Sequence, residues 1–373
     1  MRPANTLSRL HQGYGVPRDN VFHLKIAPWV IEHTANGQQA EFFVVLADQA
    51  DLRPAATLAT KAEKGPLCVT RCAKEPGNSG TDSAMVARAR DRASLLLHCE
   101  CDFSEGQSRD RRSVGGASGC GASGRQSTHS KCASQPEASD QSSSQPQTPE
   151  TIEPGIAYTH APDVWALGFR GQGITVAGAD TGQRWTHNAL KPHYRGWDGV
   201  TADHNYNWHD SIHDSVGNPC GNNSPFPCDD NGHGTHTIGT AVGDDGMGNQ
   251  IGMAPGARWI GCRNMDQGNG TPARYIECME WFLAPYPIGG GQGDPLRAPD
   301  ITSNSWVCPP SEGCSANTLQ AAVEAQAAAG IMMVAGAGND GPSCSTVMYP
   351  PAIYAASYTV GALNTGTGQH CFL

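Results

Sequence analysis

The sequence predicts an α/β fold, a mostly parallel sheet with helices on both faces. Two observations carry this. Short apolar runs alternate with helical stretches through residues 156–373. The runs are too short and too regularly interrupted to be buried helices. Such alternation implies parallel strands joined by crossover helices.

The elements follow in order. Residues 174–179 (Ile-Thr-Val-Ala-Gly-Ala) form the first strand, and 234–242 a helix. Residues 259–263 are a strand and 272–283 a helix; 301–305 are a strand and 316–329 a helix. Strands at 331–335 and 358–361 complete the pattern. In sheets of this kind, active groups gather at the carboxyl ends of strands.

The preceding sequence differs in character. Residues 41–47 (Glu-Phe-Phe-Val-Val-Leu-Ala) read as a short buried strand and 56–64 as helix. Residues 66–137 are dominated by Arg, Ser, Gly and Cys. That composition buries too little to offset the cost of ordering a backbone, so disorder is expected there. Residues 138–155 are a Ser/Gln/Pro/Thr linker.

Composition narrows the function. The chain has 373 residues and a formal net charge of -10, with only 25 Lys and Arg. A nucleic-acid partner would want a basic stripe, so none is expected. No apolar run approaches the ~20 residues of a membrane span, so no membrane partner is expected. Residues 1–27 lack the continuous apolar core of a signal peptide, so export would need a start upstream of Met1. Fourteen cysteines nevertheless point to disulfides and an oxidising compartment. Cys220 with Cys228, and Cys308 with Cys314, are close enough to close short loops. A zinc cluster is the competing reading, although no tight CxxC pair occurs.

Three residues stand out chemically. Asp180 follows the first strand and precedes Thr181-Gly182. An acid so placed can orient another side chain, though a strand-end Asp alone is usually a turn former. His233 lies in Asp229-Asp-Asn-Gly-His-Gly-Thr-His236, at a helix start between two glycines. It can serve as a general base once a carboxylate fixes its tautomer. Asn339 lies in Ala335-Gly-Ala-Gly-Asn-Asp-Gly341, beyond a strand. Its amide can donate to a developing oxyanion, an interaction of roughly 3–4 kcal/mol in a transition state. Gly-Asn-Asp-Gly alone is more often just a turn.

Taken together and in this order, residues 171–362 resemble the subtilisin-like (S8, subtilase) serine peptidases. Asp180 matches the triad aspartate, His233 the triad histidine and Asn339 the oxyanion asparagine. Further echoes are Gly252-Met-Ala-Pro-Gly-Ala257, Asn304-Ser-Trp306, Tyr349-Pro-Pro351 and Thr359-Val-Gly-Ala362. The resemblance implies a serine endopeptidase acting on a polypeptide substrate. It also implies that substrate binds as an extended strand between two edges, here Gly268 to Gly270 and Ser305 with Trp306. Val307 stands where many members have glycine, which crowds that edge. Family and cysteine content together imply an extracellular location.

The resemblance is incomplete. The family's nucleophile sits in a Gly-Thr-Ser box, and no such box occurs in the sequence. Ser343 and Ser345 come too soon after Asn339. Residues 1–65 resemble the opening of the family's inhibitor-like pro-domain, an expected partner in an intact homologue. They read as a partial remnant, 66–155 as a disordered or frameshifted segment with a linker, and 156–373 as a C-terminally truncated peptidase domain. Two compensating frameshifts in 66–137 and a third after Gln369 would explain the abrupt loss of pattern. A natural disordered insertion is the competing account.

No cofactor is required for this chemistry. Calcium is a candidate at Gly243-Asp-Asp-Gly-Met-Gly-Asn249, where Asp244, Asp245 and Asn249 offer the oxygen ligands it prefers. Two other functions compete. One is a relic that binds peptides without cutting them. The other is a metal-dependent hydrolase built on His204, His209, His213, Asp229, Asp230, His233 and His236, although their spacing matches no HExxH motif.

Overall fold

In a computed structural model of the protein, the described residues are 43–46, 50–72, 120–123, 152–341 and 343–362, with 43–46 and 120–123 described as backbone alone. Most of the segment 66–137, most of the 138–155 linker and the final residues 363–373 lie outside them.

Strand β1 (Phe43–Leu46) falls within the expected 41–47 run. Helix α1 (Lys61–Cys72) starts later than expected, after a short 3-10 turn at Arg53–Thr57. The start is fixed by a capping box that sequence reading overlooked. The Glu63 carboxylate accepts from Thr60 N–H at 2.9 Å, and Thr60 Oγ1 accepts from Glu63 N–H at 3.3 Å. Strand β2 (Cys120–Ser123) pairs antiparallel with β1. So 66–137, expected to be patternless, holds the second half of α1 and one strand.

Two short helices, α2 (Pro154–Tyr158) and α3 (Ala161–Ala166), lead into β3 (Thr175–Asp180). Then come β4 (Trp208–Asp210), α4 (His233–Val242) and β5 (Arg258–Arg263). A hairpin of β6 (Met265–Asp266) and β7 (Asn269–Gly270) precedes α5 (Pro272–Leu283). Strand β8 (Ile301–Asn304), helix α6 (Gln320–Ala328), β9 (Met332–Gly336) and β10 (Ser357–Val360) follow. Six strands form one parallel sheet in the order β10-β9-β8-β3-β5-β4. The chain builds outward from β3 to one side and then returns to build to the other. The crevice where the order reverses is therefore at the carboxyl ends of β3 and β8.

Alternation within the strands divides the core. Val176 and Trp259 face one side and pack with Ile238 and Val242 of α4. Ala177, Ala179, Ile260 and Cys262 face the other and pack with Cys278, Trp281 and Phe282 of α5. A third cluster joins α5 and α6 over β9 through Ile276, Met279, Val323 and Met333. Helices thus cover both faces, as the sequence pattern predicts.

Disulfides close Cys220 to Cys228 and Cys308 to Cys314, the two short loops expected. A third, Cys262–Cys278, ties β5 to α5 and was not foreseen. Among the described residues, no helix is long and apolar enough to cross a membrane.

The segment 51–72 is an arm on the sheet's lower end. Ala55 and Cys68 are buried against Leu283, Ala298, Ala325, Ala329 and Ile331. Lys61 Nζ donates to Asp300 at 2.5 Å, while the other Asp300 oxygen accepts from Thr175 N–H at 2.9 Å. Thr175 starts the strand that Asp180 ends, so the arm grips a level about 17 Å below the candidate site. Cys68→Glu places an unpaired carboxylate in this cluster. It is expected to cost about 2–4 kcal/mol in urea unfolding and to make the arm sensitive to limited proteolysis. A variant as stable and as resistant as the parent would show that the arm contributes nothing.

Candidate active site

Asp180 ends β3 and His233 begins α4, so both reach the crevice from rigid elements. The two elements can meet only because two residues lack side chains. A Cβ on Gly182 would lie 1.8 Å from the Cys228 carbonyl oxygen, and one on Gly234 would lie 2.0 Å from that of Gly182. Gly182 also has a φ of +105°, a conformation that favours glycine.

Within that close approach, His233 Nδ1 lies 2.7 Å from Asp180 Oδ1, with both side chains buried. Asp180 Oδ1 also accepts from Thr181 N–H at 2.7 Å, and Oδ2 accepts from the Thr237 hydroxyl at 3.2 Å. These donors fix the carboxylate plane. Burial works against a charged His233 ring, but the Asp180 hydrogen bond and charge, helped by Asp229, outweigh it. The imidazole therefore holds its proton above its ordinary value.

Asp229 organises the helix start. Its Oδ1 accepts from Gly232 N–H at 2.8 Å and the Thr181 hydroxyl at 2.9 Å; its Oδ2 accepts from Thr235 N–H at 2.9 Å. This carboxylate replaces a side-chain cap at Gly232 and satisfies helix-start donors that would otherwise be orphaned. Sequence reading placed Asp229 only among metal ligands. Its position three residues before Gly232, at a helix start, was the signal for capping.

Gly268 sits at the turn of the β6–β7 hairpin, where Gln267 and Gly268 both have positive φ. Gly270 ends β7 at the mouth of α5. Across the crevice, Ser305 and Trp306 follow β8. Trp306 is buried rather than open. Its indole N–H donates to the Ala179 carbonyl at 3.0 Å, and its ring stacks on Tyr275 at 3.8 Å. Asn339 lies just beyond β9 and is exposed. The structure thus gathers Asp180, His233, Ser305 and Asn339 at the carboxyl ends of β3, β8 and β9 and at the start of α4.

The metal-ligand candidates are dispersed. His204 Nδ1 pairs with the Tyr194 hydroxyl at 3.0 Å. His209 and His213 both pair with Glu277, at 2.7 and 2.9 Å. The Glu277 hydrogen bond pushes His213 up to about 9. Burial opposes the Glu277 charge, yet the two histidines hold that carboxylate at about 2. Asp230 pairs with Arg263 at 3.3 Å, and His236 lies on the first turn of α4 after His233. Among the described residues, no group of three His, Cys, Asp or Glu can hold a metal ion. In the 243–249 loop, Asp244 accepts from Gly246 N–H and Asp245 from Met247 N–H, both at 2.8 Å. The Asn249 side-chain oxygen is buried there with no partner.

A profile of the Subtilase family matches residues 171–371. Bacillopeptidase F of Bacillus subtilis is 42% identical over 159 residues, covering 42% of this chain and 10% of that protein. Serine protease AprX of the same species is 32% identical over 226 residues, covering 57% of this chain and 44% of that protein. Subtilisin DY of Bacillus licheniformis is 27% identical over 226 residues, covering 60% and 68%. The chain thus spans about a tenth of Bacillopeptidase F and under half of AprX.

Proposed function

The chain belongs to the subtilase family, and from that membership we propose that its crevice is a serine endopeptidase site holding every part but the nucleophile. The buried His233–Asp180 pair is the observation that carries this reading. Asp180 accepts a hydrogen bond from Nδ1–H and holds the ring in the tautomer whose Nε2 takes a proton from a hydroxyl. Asn339 donates to the oxyanion of the tetrahedral intermediate. A polypeptide substrate lies as a strand between Gly268 to Gly270 and Ser305 with Trp306.

No Gly-Thr-Ser box occurs in these 373 residues, which carry the base, its orienter and the oxyanion donor of the site. The disulfides Cys220–Cys228, Cys262–Cys278 and Cys308–Cys314 support an oxidising compartment as its place of work. The orphaned Asn249 oxygen, beside Asp244 and Asp245, supports calcium as the ion of that loop.

The test uses the 373-residue polypeptide with casein, a fluorescent casein-derived peptide and a serine-directed fluorophosphonate. Saturable peptide binding is expected, with no turnover and no label. Labelling of any serine would overturn the assignment of a missing nucleophile.

A further inference from the structure

Two rings close the floor of the crevice. Tyr275, near the start of α5, is 0% exposed, and Trp306, which follows β8, is 2% exposed. Their centroids lie 3.8 Å apart, with 4° between the ring planes. A Cβ on Gly270 would lie 1.9 Å from the Tyr275 hydroxyl, so the tyrosine reaches beneath the hairpin edge. Trp306 belongs to the opposite edge. The stack therefore spans the crevice from one edge to the other.

Both rings are pinned. The Tyr275 hydroxyl donates to Glu312 Oε2 at 2.8 Å, and Glu312 is itself buried inside the Cys308–Cys314 loop. The Trp306 indole N–H donates to the Ala179 carbonyl at 3.0 Å. Met265 and Leu319 complete the same buried cluster. Swinging either ring aside would break a buried hydrogen bond and leave a void in that cluster.

Successive side chains of a strand point to opposite faces. A peptide held between the two edges thus sends every second side chain down onto the floor and the others out to solvent. We propose that the Tyr275–Trp306 stack is a specificity-determining plug, which restricts the residues facing the floor to small side chains such as glycine, alanine and serine. This rests on the reading of the two edges as the substrate cleft. An open apolar floor would favour a larger side chain through the area it buries. A filled floor rejects it, because a close-packed interior takes no added methylenes without strain. The sign of the size preference therefore reads the state of the floor.

The experiment measures, by fluorescence anisotropy, the affinity of the 373-residue polypeptide for two labelled peptides, Gly-Ala-Ala-Ala-Gly and Gly-Leu-Leu-Leu-Gly. Three consecutive side chains alternate, so any register in the cleft sends at least one of them down. The alanine peptide is expected to bind roughly tenfold tighter. In Tyr275→Ala, which removes the ring, the leucine peptide should instead bind roughly tenfold tighter. Where Tyr275→Ala fails to fold, Tyr275→Leu, a smaller change in volume, should bring the two affinities within about threefold. A parent that prefers the leucine peptide overturns the plug and leaves the cleft standing. So does an alanine preference unchanged in the Tyr275 variants, which would put the obstruction elsewhere. If neither peptide binds, the reading of the edges as a cleft fails, and the plug fails with it.

Discussion

Asp180→Asn is expected to bring the His233 titration below that of a free imidazole. In a longer form carrying the serine, it is expected to lower kcat about 10⁴-fold. The parent ring is buried, and burial alone disfavours its charged form. Only the Asp180 carboxylate, 2.7 Å from Nδ1, and the more distant Asp229 reverse that. An asparagine keeps the shape but removes the charge, leaving desolvation in control. Its amide can also present a donor to Nδ1, which selects the tautomer that cannot take a proton at Nε2. An NMR titration of the imidazole in the 373-residue polypeptide checks the first effect. A His233 value unchanged by Asp180→Asn would sink the assignment of Asp180 as orienter. The pair also has a stability signature. The folded-state value lies above the unfolded one near 6.5. Its contribution is therefore full below the unfolded value and is lost as pH rises through the folded one. The difference in stability between parent and Asp180→Asn should shrink accordingly toward alkaline pH.

Much of this site was legible in the sequence because the fold repeats one rule. Strands end where chemistry begins, so Asp180, Ser305 and Asn339 could be placed from local pattern alone. His233 was legible because glycines bracket it. Less was visible where contacts are non-local. The three-residue edge strand β4 is too short to show alternation. The Cys262–Cys278 pairing depends on two residues facing each other across a strand and a helix, and spacing does not report that. Trp306 reads as an open edge residue, yet the Tyr275 stack and the Ala179 carbonyl bury it. Glu312 sits in a Pro-Ser-Glu-Gly turn that looks solvated, and only the fold around it makes it an interior acid.

Arg263 is the other residue whose importance the sequence hides, and Arg263→Met is expected to cost about 3–5 kcal/mol in stability. Arg263 ends β5, paired in register with Asp180, and is fully buried. Its Nε and Nη2 donate to the two Asp210 oxygens at 2.9 and 2.8 Å, a bidentate fork. Its Nη1 reaches Asn218 at 3.2 Å and Asp230 at 3.3 Å. Asp230 in turn accepts from Gln267 N–H at 3.1 Å, at the turn beside Gly268. One guanidinium thus holds β4, the 218–230 loop leading to His233, and the hairpin edge. Removing it leaves two buried carboxylates without their cation, and this penalty exceeds the value of the pair itself. Arg263→Lys keeps the charge but loses the fork, so its loss should be smaller. The sign with pH separates this mechanism from simple loss of packing. A buried carboxylate stripped of its cation titrates higher than it does in the pair, so its penalty grows as pH rises past its unfolded value near 3.9. Arg263→Met should therefore lose less stability at pH 4.5 than at pH 7, measured by urea unfolding at both. A loss equal at the two pH values would mean that the side chain's bulk, not its charge, is what the fold needs.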